Sequence, residues 1–529
     1  MNKQKLNNSG EVNRKAVLIN VAITVGLIAI FAIFGSFKSG YHVDEIFTFS
    51  LSNHQFSSTN TINPVVENGV IYSGEEIWLD YVTLENGEAF DYTNVFENQA
   101  NDVHPPLYYI LVHTLTSLFP NLSLMLIGLL INIPLACICY WQLVWIAGKL
   151  GVKRWLSLLL TATYVFSMGF IDSAVVFFRM YALMTVWFNF LLMLFLKYKP
   201  KDKGTGAYYI FLGLISLAGF LTQYYFLIFA FFICLIYAVF VVLDKKWKKL
   251  ILSLVSVGVA AIVGVAIFPW SVIHILFSYR GTEAIENALS GGLFNQLFGF
   301  CSIINSEIYG GMLPLIVLIL LISLLISWIR KKEVNIPGQK LDRLYPYAIM
   351  LMPVCLYILV VAKISSYTVM RYIIPAMGIL YIAIFAIGVK LVVKWNKKAI
   401  AVVLTLAIIC MGLSYRSGIS NLYLDEKENI AILQENRDAL CVFMYSSSWR
   451  ILYNMYELKE MDSVVFIDVE QWDEFADSAY ENYDSIILYV YDDYEGNHDE
   501  AIQTVMESNS MSTREELFHS WYSTVYLLK

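Results

Sequence analysis

Residues 16–35 read AVLINVAITVGLIAIFAIFG, twenty positions without a charge. At about 1.5 Å per residue such a helix covers about 30 Å, the thickness of a bilayer's hydrocarbon core. The preceding Met1–Lys15 carries four basic residues, but the apolar run is too long for a signal-peptide core and no small-x-small cleavage site follows, so it is expected to stay as an anchor. Asp44 and Glu45 come next, which places two adjacent carboxylates near the lipid headgroups.

The rest of the 529 residues agrees with this start. The chain is 58% hydrophobic, with a mean hydropathy of +0.60, far more apolar surface than a soluble core of this size needs. The net charge of -7 hides an asymmetry, because residues 418–529 hold 23 of the 43 acidic side chains and 6 of the 36 basic ones. A basic membrane body therefore carries an acidic tail. The seven cysteines lie mostly inside apolar runs with no CxxC, which reads as packing and not as a disulfide or metal framework.

Apolar runs place about 11 transmembrane helices near 16–35, 121–146, 155–171, 175–196, 207–222, 224–243, 250–272, 311–329, 345–362, 372–389 and 399–415. The segment 105–118 is too short to span and contains His113, Thr114, Thr116 and Ser117. Its apolar positions Leu107, Ile110, Leu111, Leu115 and Leu118 follow helical spacing, which fits a juxtamembrane helix. With that parity, the stretches 1–15, 147–154, 197–206, 244–249, 330–344 and 390–398 share one side and hold 24 Lys and Arg. The other side, before residue 416, holds Lys38, Arg179, Arg280, Lys363 and Arg371. The positive-inside rule then expects a plasma-membrane protein with a cytoplasmic N-terminus and an extracytoplasmic tail. Two domains are expected: 1–417, including an outer loop 36–104, and 418–529, where short strand-like runs at 440–445, 463–469, 485–491 and 523–528 suggest a small α/β domain.

The polar chemistry gathers at outer ends of spans. Asp44 is the first candidate for a general base, with Glu45 beside it as a second catalytic carboxylate; adjacent residues point apart, so only one reaches a substrate directly. Asp172 closes the third span, while Arg179 and Tyr181 open the fourth. Gln223, Tyr224 and Tyr225 mark the next outer boundary, and Lys363, Arg371 and Tyr372 flank the loop between the ninth and tenth spans. Arg371, Lys363 and Arg179 suit a lipid-linked phosphate. His104, Tyr181, Gln223, Tyr224, Tyr225 and Tyr372 are candidates to bind the rest of a substrate. A divalent metal ion is a candidate cofactor, with Asp44 and Asp172 as ligands and His104 and His274 as weaker ones. A transferase needs Asp44, Asp172, Arg179 and Arg371 around one cavity at the outer leaflet, with His104 on its rim. A lipid or sugar transporter needs polar groups at depth, which the runs do not show; a scaffold presenting the acidic tail needs no such geometry.

Five motifs taken together, Asp44-Glu45, His104-Pro105-Pro106-Leu107-Tyr108-Tyr109, Arg179-Met180-Tyr181-Ala182-Leu183, Thr222-Gln223-Tyr224-Tyr225-Phe226 and Arg371-Tyr372-Ile373-Ile374-Pro375, resemble those of membrane-embedded glycosyltransferases of the GT-C class. The resemblance is to family 39 and its neighbours, bacterial relatives of protein O-mannosyltransferases and of the lipid A aminoarabinose transferase, and covers roughly residues 16–395. It implies a polyprenyl-phosphate sugar as donor, an extracytoplasmic acceptor, juxtamembrane helices in the first loop, and Asp44 as the base or acceptor-orienting group. Gln223 stands where many relatives carry a basic residue or histidine. No nucleic-acid partner is expected; the partners are donor, acceptor and bilayer. The orientation has a direct check: in a variant without exposed native cysteines, a cysteine at Ser508 is expected to react with an impermeant thiol reagent in intact cells. Labelling only after lysis would reverse the topology.

Overall fold

The computed structural model describes residues 2–529 except 55, 57–63, 65, 86, 330–339, 394–399, 473–479 and 481; for 2–13, 327–329, 340–343 and 392–393 it describes the backbone alone. Most of the basic stretches 330–344 and 390–398 therefore lie outside the described residues. The chain forms two compact units. One comprises Met1–Ser36, Gln99–Tyr108 and Gly128–Ile419, the other Phe37–Asn98, Tyr109–Ile127 and Ser420–Lys529. The chain changes unit between Ile419 and Ser420, two residues after the boundary expected at 417/418, and most of the first loop falls in the same unit as the C-terminal residues, where the expectation had it with the long helices.

The first unit is helical. Among the described residues, seven helices are long and apolar enough to cross a membrane: Arg14–Ser36, Leu124–Lys149, Tyr225–Leu243, Trp247–Ile267, Leu344–Ile364, Met370–Leu391 and Ile400–Ser417. A helix satisfies its own backbone polar groups, which is what hydrocarbon demands. Two further pairs are bent, Arg154–Val165 with Met168–Val175 by 67° and Leu293–Ile308 with Leu313–Ile326 by 93°. The expected spans 155–171 and 311–329 belong to these pairs. The expected spans 175–196 and 207–222 correspond to the shorter helices Tyr181–Lys197 and Gly206–Thr222, and the expected juxtamembrane helix to Leu107–Leu118. Met370–Leu391 sits innermost, with 78% of its residues buried, against 11% for Arg14–Ser36 and Trp247–Ile267. The outer helices show side chains such as Ile262 and Leu254 on faces that lipid covers at no hydrophobic cost. Close approach needs small residues: a Cβ at Gly219 would overlap the ring of Phe226, so glycine lets Gly206–Thr222 fold back on Tyr225–Leu243.

The second unit is built on a six-stranded sheet of β1 (Ile71–Tyr72), β2 (Leu440–Tyr445), β3 (Ser463–Asp468), β4 (Ile486–Tyr491), β5 (Arg514–Ser520) and β6 (Ser523–Leu528), in the order β1-β3-β2-β4-β6-β5. β3, β2 and β4 are parallel; β1, β6 and β5 are antiparallel to their neighbours. Every residue of β2 and β4 is buried, as helix-covered parallel strands require. Four strands match the sequence reading closely. β5 (REELFHS) escaped it because an edge strand with one wet face carries little apolar signal. β1 escaped because it is two residues from the first loop, added to the edge of a sheet otherwise made by the tail. Asn68 fixes that addition: its Oδ1 accepts from Asp468 N at 3.1 Å and from Tyr445 Oη at 3.1 Å.

A second tie lies at the start of the loop. Lys38 Nζ pairs with Glu45 Oε2 at 3.0 Å and donates to Asn421 O at 2.6 Å, while Ser39 N donates to Leu422 O at 2.7 Å. Glu426, beside Gly40, accepts from Trp521 Nε1 at 3.0 Å. Burial raises the Glu426 carboxyl to about 8; the Trp521 bond and Lys38 pull it down, while Glu457 and Glu45 push it up. Glu457 is also raised by burial, against hydrogen bonds from Asn454, Ser520 and Tyr489. A carboxyl whose folded value is raised keeps its proton where the unfolded chain has lost it, so stability falls as pH climbs from the ordinary carboxylate range through about 8. The melting temperature of the purified protein is therefore expected to be lower at pH 9 than at pH 6, and Glu426→Gln to reduce that difference. An unchanged pH slope in the variant would show that Glu426 is not titrating in this window.

Candidate active site

Asp44 and Glu45 open the helix Val43–Asn53, and the fold gives them different work. Glu45 Oε2 accepts from His42 N at 2.8 Å as well as from Lys38, and His42 Nδ1 accepts from Asp44 N at 3.0 Å, a reciprocal cap on the orphan N–H groups of the first turn. Glu45, expected as a second catalytic carboxylate, is fully buried and engaged by these bonds. Asp44 keeps 31% of its side chain exposed, with Oδ2 3.7 Å from His42 Nδ1. Of the acidic pair, Asp44 is the one whose carboxylate faces outward.

The other candidates belong to the helical unit. His104 Nδ1 lies 2.8 Å from Asp102 Oδ2, and its Nε2 lies 3.4 Å from Arg179 Nη2. Burial raises the Asp102 carboxyl, but His104 and Arg179 outweigh it and hold the group below its ordinary range. This Asp102–His104–Arg179 chain orients the imidazole from one side and leaves the guanidinium beside it. Asp102 was missed in the sequence, although an acid two positions before a histidine in a loop is the available signal. Its loop is anchored by His274, whose Nε2 donates to Ala100 O at 3.2 Å while Nδ1 accepts from Tyr224 Oη at 3.0 Å. Burial lowers the His274 value, so the ring stays neutral and fixed in that tautomer near pH 7.

Tyr224 and Gln223, expected to bind substrate, thus have structural work: Tyr224 holds His274, and Gln223 ends the helix Gly206–Thr222 with its Oε1 accepting from Tyr224 N at 2.6 Å. Tyr225 and Tyr181 stand with Tyr372, their ring centroids 5.4 and 6.3 Å from it, and Tyr181 stacks on Phe177 at 6.1 Å. The guanidinium of Arg371 lies 5.3 Å from the Phe177 ring and 5.8 Å from Tyr372. Arg179, whose N–H donates to Phe177 O at 2.9 Å, lies two residues along the chain. Asn132 fixes this turn by donating to Val175 O at 3.2 Å and Phe177 O at 2.8 Å. Arg371 and Tyr181 thus flank Phe177, Tyr372 links them to Tyr225, and Arg179 follows Phe177 in the chain with its guanidinium beside His104. Lys363, expected as a phosphate ligand, donates from its ammonium to Asn287 O and Ser290 O, closing the C-terminus of the helix Tyr279–Leu289.

Asp172 sits in a π-helical turn, Ile171–Val175, which follows the bend after Val165. A second π-turn, Ile304–Ile308, carries Glu307, another residue the sequence reading did not single out. Gly169, one turn before Asp172, lies where a Cβ would come 3.2 Å from Glu307 Cβ, and the two carboxylates are close enough for their charges to interact. Broken helices with carboxylates at the breaks differ from the expected pattern of unbroken spans. Among the described residues no group of three or more His, Cys, Asp or Glu could hold a metal ion, so the candidate metal ligands Asp44 and Asp172 lack a ready coordination set.

No family model matches the sequence, and no curated protein matches it. Among solved structures, the chain is similar to ArnT from Cupriavidus metallidurans in two states. With the form bound to undecaprenyl phosphate the TM-score is 0.50 at 11% identity, over 97% of this chain and 98% of that one. With the apo form it is 0.52 at 12% identity, over 98% of each chain. At such identity the likeness speaks for architecture, and it runs nearly end to end: the chain has the polytopic GT-C fold.

Proposed function

We propose that this protein is a glycosyltransferase that moves a sugar from a polyprenyl-phosphate carrier to an acceptor on the extracytoplasmic side of the membrane. The observation that supports the reading is the cluster of Arg371 with Phe177, Tyr181, Tyr372 and Tyr225, a cation among rings of the kind that suits a phosphate-linked sugar, with Arg179 two residues after Phe177. The end-to-end likeness to ArnT, one state of which is bound to undecaprenyl phosphate, supports the donor class.

In the proposed reaction Asp44 accepts the proton of the acceptor hydroxyl as its oxygen bonds to the anomeric carbon. The bond from that carbon to the phosphate oxygen breaks, and the polyprenyl phosphate leaves with the electron pair. Arg371 and Arg179 stabilise the charge that grows on the leaving phosphate, where preorganised donors lower the barrier most. His104, steered by Asp102, positions Arg179. A single displacement inverts the anomeric centre. Asp172 and Glu307 are held close to one another, and Asp172 assists from that pair.

Two substitutions separate the roles. Asp44→Asn keeps size but removes the basic oxygen, so kcat is expected to fall about 10²- to 10⁴-fold with the donor KM little changed. Arg371→Ala is expected to raise the donor KM about tenfold or more, as loss of a charge-assisted contact of about 1.5–3 kcal/mol implies. Both are read in proteoliposomes supplied with a glycosyl polyprenyl phosphate and acceptor. A wild-type rate in Asp44→Asn would remove Asp44 as the base.

A further inference from the structure

The sheet of the second unit reverses its winding between β2 and β4: from β2 the chain crosses to β3 on one side and then returns to β4 on the other. In open parallel sheets the carboxyl ends of the strands at such a reversal form a crevice suited to ligands. Here those ends lead into Ser446-Ser447-Ser448 and the helix Ser448–Leu458 after β2, and into Asp492-Asp493 after β4. Arg450, in the first turn of that helix, stands at this edge, with its guanidinium 4.7 Å from the Tyr491 ring, 4.8 Å from Tyr522 and 5.4 Å from Trp449.

Arg450 differs from other arginines of this acidic unit. Arg437 and Arg514 meet Asp462 and Asp499 at 2.6 Å. The Nε and Nη1 of Arg450 are buried without a hydrogen-bond acceptor, and its ion-pair partner Asp493 stays at 3.7 Å with 74% of its side chain exposed. A guanidinium walled by rings, with two of its buried nitrogens lacking a hydrogen-bond acceptor, is costly unless something supplies one. Ser447 also leaves the helix N-terminus without a side-chain cap.

The rings around it are held in place. Tyr522 occupies the tip of the β5–β6 hairpin at φ +56°, a left-handed conformation uncommon for a bulky residue, and remains 39% exposed. Asp492 N donates to Tyr522 O at 2.8 Å, and Thr524 Oγ1 donates to Asp492 Oδ1 at 3.0 Å, which fasten the tip to the end of β4. Tyr453 contacts Trp449, Trp521 and Tyr522 with centroids 5.7, 5.2 and 5.2 Å away.

We propose that this edge binds a saccharide bearing an oxyanion, a carboxylate or a phosphate ester. The oxyanion sits on Arg450, whose fork donates to two oxygens at once, and on the uncapped first turn of Ser448–Leu458; the sugar's C–H faces lie on Trp449 and Tyr522. Asp493 occupies the guanidinium loosely until the ligand displaces it. That the ligand is the acceptor glycan rests on the proposed transfer; the binding does not.

Isothermal titration of the full-length protein in nanodiscs tests this with four probes: trigalacturonate, glucose 6-phosphate, inorganic phosphate and maltotriose. Saturable binding of trigalacturonate or glucose 6-phosphate is expected, the better of the two showing which oxyanion is preferred, with maltotriose and phosphate about tenfold weaker or worse. Arg450→Gln is expected to weaken the charged probe about tenfold or more, and Asp493→Asn, at an exposed position, to strengthen it by releasing the guanidinium. Absence of saturable binding of both charged saccharides up to about 10 mM, equal binding of inorganic phosphate, or weaker binding in Asp493→Asn would each overturn the proposal. The titration uses no donor lipid, so its failure leaves the transfer reading intact, and a wild-type rate in Asp44→Asn leaves this one intact.

Discussion

The ion pair between Lys38 and Glu45 is the constraint around which the second unit of the protein is arranged. Both side chains are essentially buried, at 1% and 0% exposure, and the ammonium also serves the Asn421 carbonyl. Desolvating two charges gains little net stability, yet removing one leaves the other uncompensated, at a cost of about 3–5 kcal/mol. The pair therefore works as a register device more than as a source of stability. It fixes where the chain after the first long helix meets the chain after the last, and sets the start of the helix Val43–Asn53 so that Glu45 is consumed by the cap and Asp44 is presented. A lysine that resembles one more boundary cation thus decides which carboxylate is available for chemistry.

The same logic extends through the unit. β1 and Asn68 add the first loop to the edge of the tail's sheet, and Gly74 N donates to Met461 O at 3.1 Å beside it. The tail is thereby part of the structure that holds Asp44, not an appendage, and two of its carboxyls, the half-buried Glu426 and the buried Glu457, lie within this unit. In the helical unit an equivalent role falls to His274 and Asn132, neutral groups that pin the loop of Asp102 and His104 and the turn of Phe177 through backbone carbonyls.

Much of the fold was legible in the sequence because lipid imposes simple rules: long uncharged runs must be helices, and four of the six strands carry dense apolar signals. The bends at 166–167 and 309–312 were not legible, since the apolar composition continues across them and only the local turn of the backbone changes. Of the proposed site, Asp44, Arg179 and Arg371 could be marked as charges where charge is expensive. The commitment of Glu45 and Lys363 to helix ends depends on partners at Lys38, Asn287 and Ser290 that no local pattern announces. Asp102 and Glu307 were passed over because a lone acid in a loop or beside a span has many uses, and only the fold brings one to His104 and the other to Asp172. The resemblance of motifs at outer span ends found the architecture where no sequence comparison does.

In the proposed transfer a polyprenyl phosphate, or its glycosylated form, is the lipid that the protein binds. Native mass spectrometry of the protein purified in mild detergent from the membranes that express it measures this directly. A bound species is expected whose mass, after release and fragmentation, yields a polyprenyl chain ending in phosphate, with or without one sugar. Retention of bulk phospholipids alone, with no polyprenyl phosphate retained even after it is supplied to the membranes, would contradict it.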